Sequence, residues 1–153
     1  MRGLMMNTPL LISSIARHAE RNFAEREIVS VTSDNPLHRY TYRDCIRRAR
    51  QLANALSRLS LECGDRVATI AWNDYRHLET YYGVGGAGYV CHTINPRLFP
   101  EQIVFIVNHA DDKWIFTDPL FLPLLEKIAP KTPLRSWSSY SRTLSRFGRK
   151  AAR

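Results

Sequence analysis

The chain has 153 residues and carries 22 Lys and Arg against 14 Asp and Glu, for a net charge of +8. That length suits one compact domain with a core of its own and excludes a large multidomain enzyme. The basicity is confined to one end: residues 1–130 hold 15 bases and 14 acids, whereas residues 131–153 hold seven bases and no acid. The charge is therefore no evidence for a nucleic-acid surface on the body.

From the N-terminus, Leu11, Ile12, Ile15, Ala16, Ala19 and Phe23 form one helical stripe. Arg2, Arg17, Ser13 and Ser14 give this stretch a faint transit-peptide flavour, but the stripe runs on into an acidic stretch and Pro9 interrupts the apolar run, so a packed amphipathic helix in a cytoplasmic protein is expected. Glu27 to Thr32 and Leu37 to Tyr40 read as a hairpin around Asp34, Asn35 and Pro36. Thr41 and Asp44 have the spacing of a helix start, a hydroxyl cap with a carboxylate three residues on. Ile46, Ala49, Leu52, Ala53, Leu56 and Leu59 then mark a buried face, with Arg43, Arg47, Arg50 and Arg58 largely off it on a solvated side.

Next, Arg66 to Trp72 reads as a strand, Tyr75 to Val84 as a helix, Tyr89 to Ile94 as a strand and Pro100 to His109 as a helix. The β-branched run Ile103 to Val107 would also suit a strand. Lys113 to Thr117 reads as a third strand, followed by a short helix ending near Ile128. This alternation implies parallel strands joined by right-handed crossovers, hence an α/β fold with a partial parallel or mixed sheet and flanking helices. The longest aliphatic and aromatic run, Ile103 to Val107, falls far short of the roughly 20 residues that cross a bilayer.

Candidate chemistry is sparse. Cys45, Cys63 and Cys91 lack metal or redox spacing and read as reduced core thiols; Cys91 and adjacent His92 should point to opposite faces of a strand. Gly83, Gly85 and Gly88 satisfy the dinucleotide fingerprint, but they close a helix and lead into a strand, the reverse of what pyrophosphate binding needs, so a helix cap and close packing are expected. Asp111 and Asp112 read as ordinary turn residues. No serine sits in a nucleophile elbow and no phosphate loop is present, so no catalytic, cofactor-binding or metal-binding residue is assigned.

Beyond residue 135 the composition changes abruptly. Trp137, Tyr140, Leu144 and Phe147 lie at helical spacing opposite Arg142, Arg146, Arg149, Lys150 and Arg153, which would make a basic amphipathic helix for a membrane or nucleic acid. The preferred reading of residues 136–153 is an out-of-frame or disordered Ser/Arg-rich tail.

Residues 1–135 resemble the start of the AMP-forming acyl-CoA synthetases, in the branch of fatty-acid and 3-methylthiopropionate CoA ligases. The resemblance rests on the stretches Met1 to Phe23, Arg39 to Asn73, Tyr75 to Val84, Cys91 to Asp112 and Phe121 to Pro130. It implies the incomplete N-terminal domain of an adenylate-forming enzyme, which activates a carboxylate with ATP and Mg²⁺ and passes the acyl group to CoA. It also implies that the phosphate loop, the later ATP-contacting motifs and the C-terminal lysine lie beyond the matching stretch. This chain is therefore expected to bind none of these cofactors and to be inactive alone. The alternatives are an interaction module that binds a full-length ligase through its first helix or a sheet edge, and a membrane or nucleic-acid binder acting through the tail.

Overall fold

A computed structural model describes residues 6–32, 36–132, 134 and, along the backbone, 136–139. Helix α1 (Ile12–Asn22) buries Ala16 and packs on the two helices that follow. Strands β1 (Glu27–Ser30) and β2 (His38–Thr41) form the expected antiparallel hairpin, with Ile28 opposite Tyr40; Asp34 and Asn35 of its turn lie outside the described residues. Helix α2 (Tyr42–Leu56) begins as its sequence demands. Thr41 Oγ1 accepts from Asp44 N at 3.2 Å and the Asp44 carboxylate accepts from Thr41 N at 3.4 Å, so two otherwise unpaired amides are satisfied. The helix stops at Leu56, yet Leu59 in the following turn still packs against the core.

The rest of the chain alternates strand and helix: β3 (Arg66–Ile70), α3 (Tyr75–Gly86), β4 (Val90–Thr93), α4 (Pro100–Ala110), β5 (Trp114–Thr117), α5 (Leu122–Ile128) and β6 (Ser136–Ser139). The last four strands form one parallel sheet in the order β4-β3-β5-β6, with Ala68 of β3 opposite His92 and Ile115. Side-chain alternation divides its two faces. Ala68, Ile70 and Ile115 meet Ile103 and Val107 of α4 and Leu125 and Ile128 of α5; Val67, Trp114 and Phe116 meet Leu52 and Leu56 of α2 and Val84 of α3. Each such aliphatic side chain contributes about 1.5–3 kcal/mol by leaving water. Ile103 to Val107 is helical despite its β-branching, because Pro100 opens the helix and the Gln102 side chain accepts from Phe99 N at 3.1 Å.

Four expectations need correction. Strand β3 ends at Ile70 and not Trp72, because the Trp72 amide turns away from the ladder to donate to Asp118 Oδ2. Cys63 is not a core thiol: it is exposed, with its sulfur donating to Gly88 O, while Cys45 is buried and Cys91 half-buried. Asp112 is not an ordinary turn acid, since it is fully buried. Trp137 lies in β6, paired with Ile115, and not in a helix; the backbone ladder of a strand does not depend on the side-chain spacing that suggested one. Strand β6 begins where the tail was expected to begin, and residues 140–153, which carry the rest of the proposed basic helix, lie outside the described residues.

Candidate functional site

In an open parallel sheet, ligands bind beyond the carboxyl ends of the strands, at the point where successive crossovers run in opposite directions. Here that point lies between β3, whose crossover leads outward to β4, and β5, whose crossover leads the other way to β6. The loops after these strands bring together Thr69, Trp72, Asp74, Arg76, His77, Thr117 and Asp118, and all but Trp72 are buried. This cluster was not assigned from the sequence, because its members come from three different elements.

Asp74 organises one half. Its carboxylate caps α3 by accepting from Arg76 N at 2.8 Å and His77 N at 3.2 Å, and its second oxygen accepts from the Arg76 guanidinium at 2.6 and 2.9 Å. Asp118 organises the other half: Oδ2 accepts from Trp72 N at 2.8 Å, and Oδ1 lies 3.8 Å from the same guanidinium. Thr117 Oγ1 donates to Ile70 O at 3.0 Å, and Thr69 Oγ1 lies 2.9 Å from His77 Nε2. Arg76 thus links the carboxylates of two loops and holds the mouth of the sheet together. Burial raises the Asp118 carboxyl above the ordinary range, against the opposing pull of the Trp72 amide and Arg76. Burial likewise lowers His77 and favours its neutral imidazole, with the charges of Asp74 and Asp118 acting in the opposite direction.

Above this buried layer is a more open one. The Trp72 ring, 39 % exposed, packs 5.3 Å from the Phe121 ring, and the Arg97 guanidinium lies 5.3 Å from the Trp72 centroid. Three loops at the same edge therefore present an aromatic and cationic surface. Chemically, the arrangement can position and bind. Its carboxylates are engaged with the cap, the guanidinium and a backbone amide, and no group of three or more metal-ligating side chains occurs among the described residues.

The residues considered from the sequence fall elsewhere. Gly83 to Gly88 close α3 and lead into β4, as expected. An added Cβ at Gly83 would sit 2.9 Å from Ala49 O and from Leu52 Cδ2, so this glycine lets α3 lie against α2; Gly88 has a φ of +85° in the turn. Cys91 and His92 do point to opposite faces. Cys91 joins the α2 and α3 side, where burial pushes its thiol up to about 11, while His92 Nδ1 lies 2.9 Å from both Asp112 carboxylate oxygens. Arg43, Arg47 and Arg50 pair with Glu25, Asp44 and Glu20 on the solvated face. Arg48, unremarked in the sequence, reaches the buried Glu79 at 2.7 Å.

An unbroken parallel sheet with helices on both faces and a polar cluster at its switch point defines a doubly wound α/β unit. The chain belongs to the AMP-binding enzyme family, whose profile matches residues 15–147 and so runs past the start of β6. It is 52 % identical over 128 residues to a 3-methylmercaptopropionyl-CoA ligase of Ruegeria lacuscaerulensis, and 50 % identical over 133 residues to a medium-chain-fatty-acid–CoA ligase of Ectopseudomonas oleovorans. These alignments take in 84 % and 87 % of this chain but only 24 % of each relative, so the chain spans about a quarter of the length of the curated relatives it matches. Among solved structures, a fatty acyl CoA synthetase of Mycobacterium tuberculosis superposes with a TM-score of 0.73 at 24 % identity, covering 84 % of this chain and 26 % of that one. An anthranilate CoA ligase in complex with anthranoyl-AMP gives 0.74 at 21 % identity, over 87 % and 26 %. Both structural matches speak to the fold.

Proposed function

We propose that the chain is the opening portion of an ATP-dependent fatty-acid CoA ligase, of the kind that forms an acyl-adenylate and then acyl-CoA, and that it has no ligase activity alone. The observation that carries this reading is the pairing of high identity with partial span: about half of the aligned positions are identical, over a quarter of each relative. The chemistry of the described site agrees with it. Stabilising a phosphoryl-transfer transition state needs preorganised donors around the phosphates. At the switch point, the Arg76 guanidinium is already engaged by Asp74 and Asp118. A cytoplasmic location belongs to the same proposal and is supported by three free cysteines.

The test is a thioester assay on rigorously purified chain with ATP, Mg²⁺, CoA and fatty acids of several lengths. The expected result is neither AMP release nor acyl-CoA. ATP- and CoA-dependent thioester formation would overturn the reading.

A second reading, an interaction module for a ligase polypeptide, is favoured by one observation: the outer side of α1 carries exposed Leu11, Ile12 and Ile15. The two readings are compatible, since a unit of this kind in its relatives is joined to further chain.

A further inference from the structure

One side chain touches both the buried cluster at the mouth of the sheet and the residue that seats the N-terminal hairpin. The Arg76 guanidinium donates to Asp74 Oδ2 at 2.6 and 2.9 Å and lies 3.8 Å from Asp118 Oδ1. Its central carbon also lies 5.4 Å from the centroid of the Tyr75 ring, within the range of a cation–π contact. Tyr75 in turn seats the hairpin: the His38 ring stacks 3.7 Å from it, the Tyr40 ring meets it edge-on at 5.5 Å, and the Tyr40 hydroxyl donates to Tyr75 O at 3.4 Å. Contacts therefore run in sequence from Trp72 N through Asp118, Arg76 and Tyr75 to β2.

Asp118 gives this series of contacts its force. Its Oδ1 is buried and has no hydrogen-bond partner among the described residues, and Arg76 is the ion-pair partner that offsets its charge. A buried carboxylate deprived of such a partner is costly. When the hairpin opens, His38 and Tyr40 leave Tyr75, the ring is free to turn, and the guanidinium loses its aromatic support. An ionised Asp118 resists the displacement of Arg76 and so resists the opening. A two-stranded ribbon is marginal in water, which makes the hairpin the element whose open and closed populations such a force can shift.

We propose that Arg76 is a coupling residue, which ties the opening of the β1–β2 hairpin to the charge at the switch point, so that neutralising Asp118 loosens the hairpin. By linkage, loosening the hairpin weakens the mouth in return.

The test is hydrogen exchange on the full 153-residue chain, read amide by amide, with the amides of β5 as the measure of global stability. Asp118→Asn should speed exchange in residues 27–30 and 38–41 by about threefold or more beyond what global unfolding explains. In an Arg76→Met background the same substitution should change hairpin exchange by less than about twofold, because the link is gone. A merely structural Asp118 gives a different pattern, lower protection throughout the sheet with hairpin effects that add to those of Arg76→Met. Such additivity, or a hairpin unmoved by Asp118→Asn, would overturn the proposal. The reverse experiment leaves the buried cluster intact and stands even where the Asp118 and Arg76 variants fail to fold. His38→Ala removes only the half-buried stacked ring and should speed exchange of the Trp72 amide, which donates to Asp118, by about threefold or more. An unchanged Trp72 amide would overturn the proposal equally.

Discussion

The central strands and the N-terminal hairpin are built on opposite terms. Every residue of β5 is buried and β3 is buried from Val67 onward, with helices on both faces, whereas β1 and β2 have no buried residue. A strand enclosed on both faces draws its stability from side chains already present, while a half-covered ribbon depends on whatever lies against its open side. The difference teaches where this unit is self-sufficient and where it is not.

The comparison can be broken most readily at the sheet. Ile115→Ala, at a fully buried position touched from both α4 and α5, should cost about 2–5 kcal/mol. Urea unfolding would read this as a lower midpoint, and a loss below about 1 kcal/mol would mean that the sheet is not the stable half. Gly83→Ala should cost about 1–3 kcal/mol, because the new methyl meets the α2 backbone at Ala49 O, which cannot yield as a flexible side chain would. The same urea series reads it.

Asp118→Asn sharpens the account of the switch point. Burial raises the native carboxyl above its unfolded value of 3.8, so the folded chain holds that proton more tightly than the unfolded chain. The stabilisation this brings is complete below pH 3.8 and is lost as pH rises through the native value. The stability of the parent relative to the Asn variant should therefore fall as pH is raised through this window, followed by unfolding titrations at several pH values; a flat difference would remove the burial argument. The smallest effect is expected at the hairpin, where Val31→Glu should change the stability of the isolated chain by less than about 0.5 kcal/mol.

What the sequence disclosed follows the same division between local and long-range causes. The start of α2 was legible because Thr41 and Asp44 satisfy each other within one turn, and Gly83 to Gly88 could be read as a helix end from their order relative to the neighbouring strand. The switch-point cluster was not legible. Asp74 drew no reading from the sequence, and its link to Asp118 through Arg76 exists because sheet order sets β3 beside β5. Asp112 was misjudged for the same reason, since its partner His92 is 20 residues away on the strand beyond β3. Trp137 misled differently: its spacing to Tyr140 and Leu144 suggested a helix, and only pairing with β5 shows the strand.

Hydrogen exchange of the isolated chain tests the central contrast most directly. Amides of β3 and β5 should be protected up to the global unfolding free energy, and those of β1 and β2 should exchange far sooner through local opening. Hairpin amides as strongly protected as those of β3 and β5, in the absence of any partner, would contradict the account.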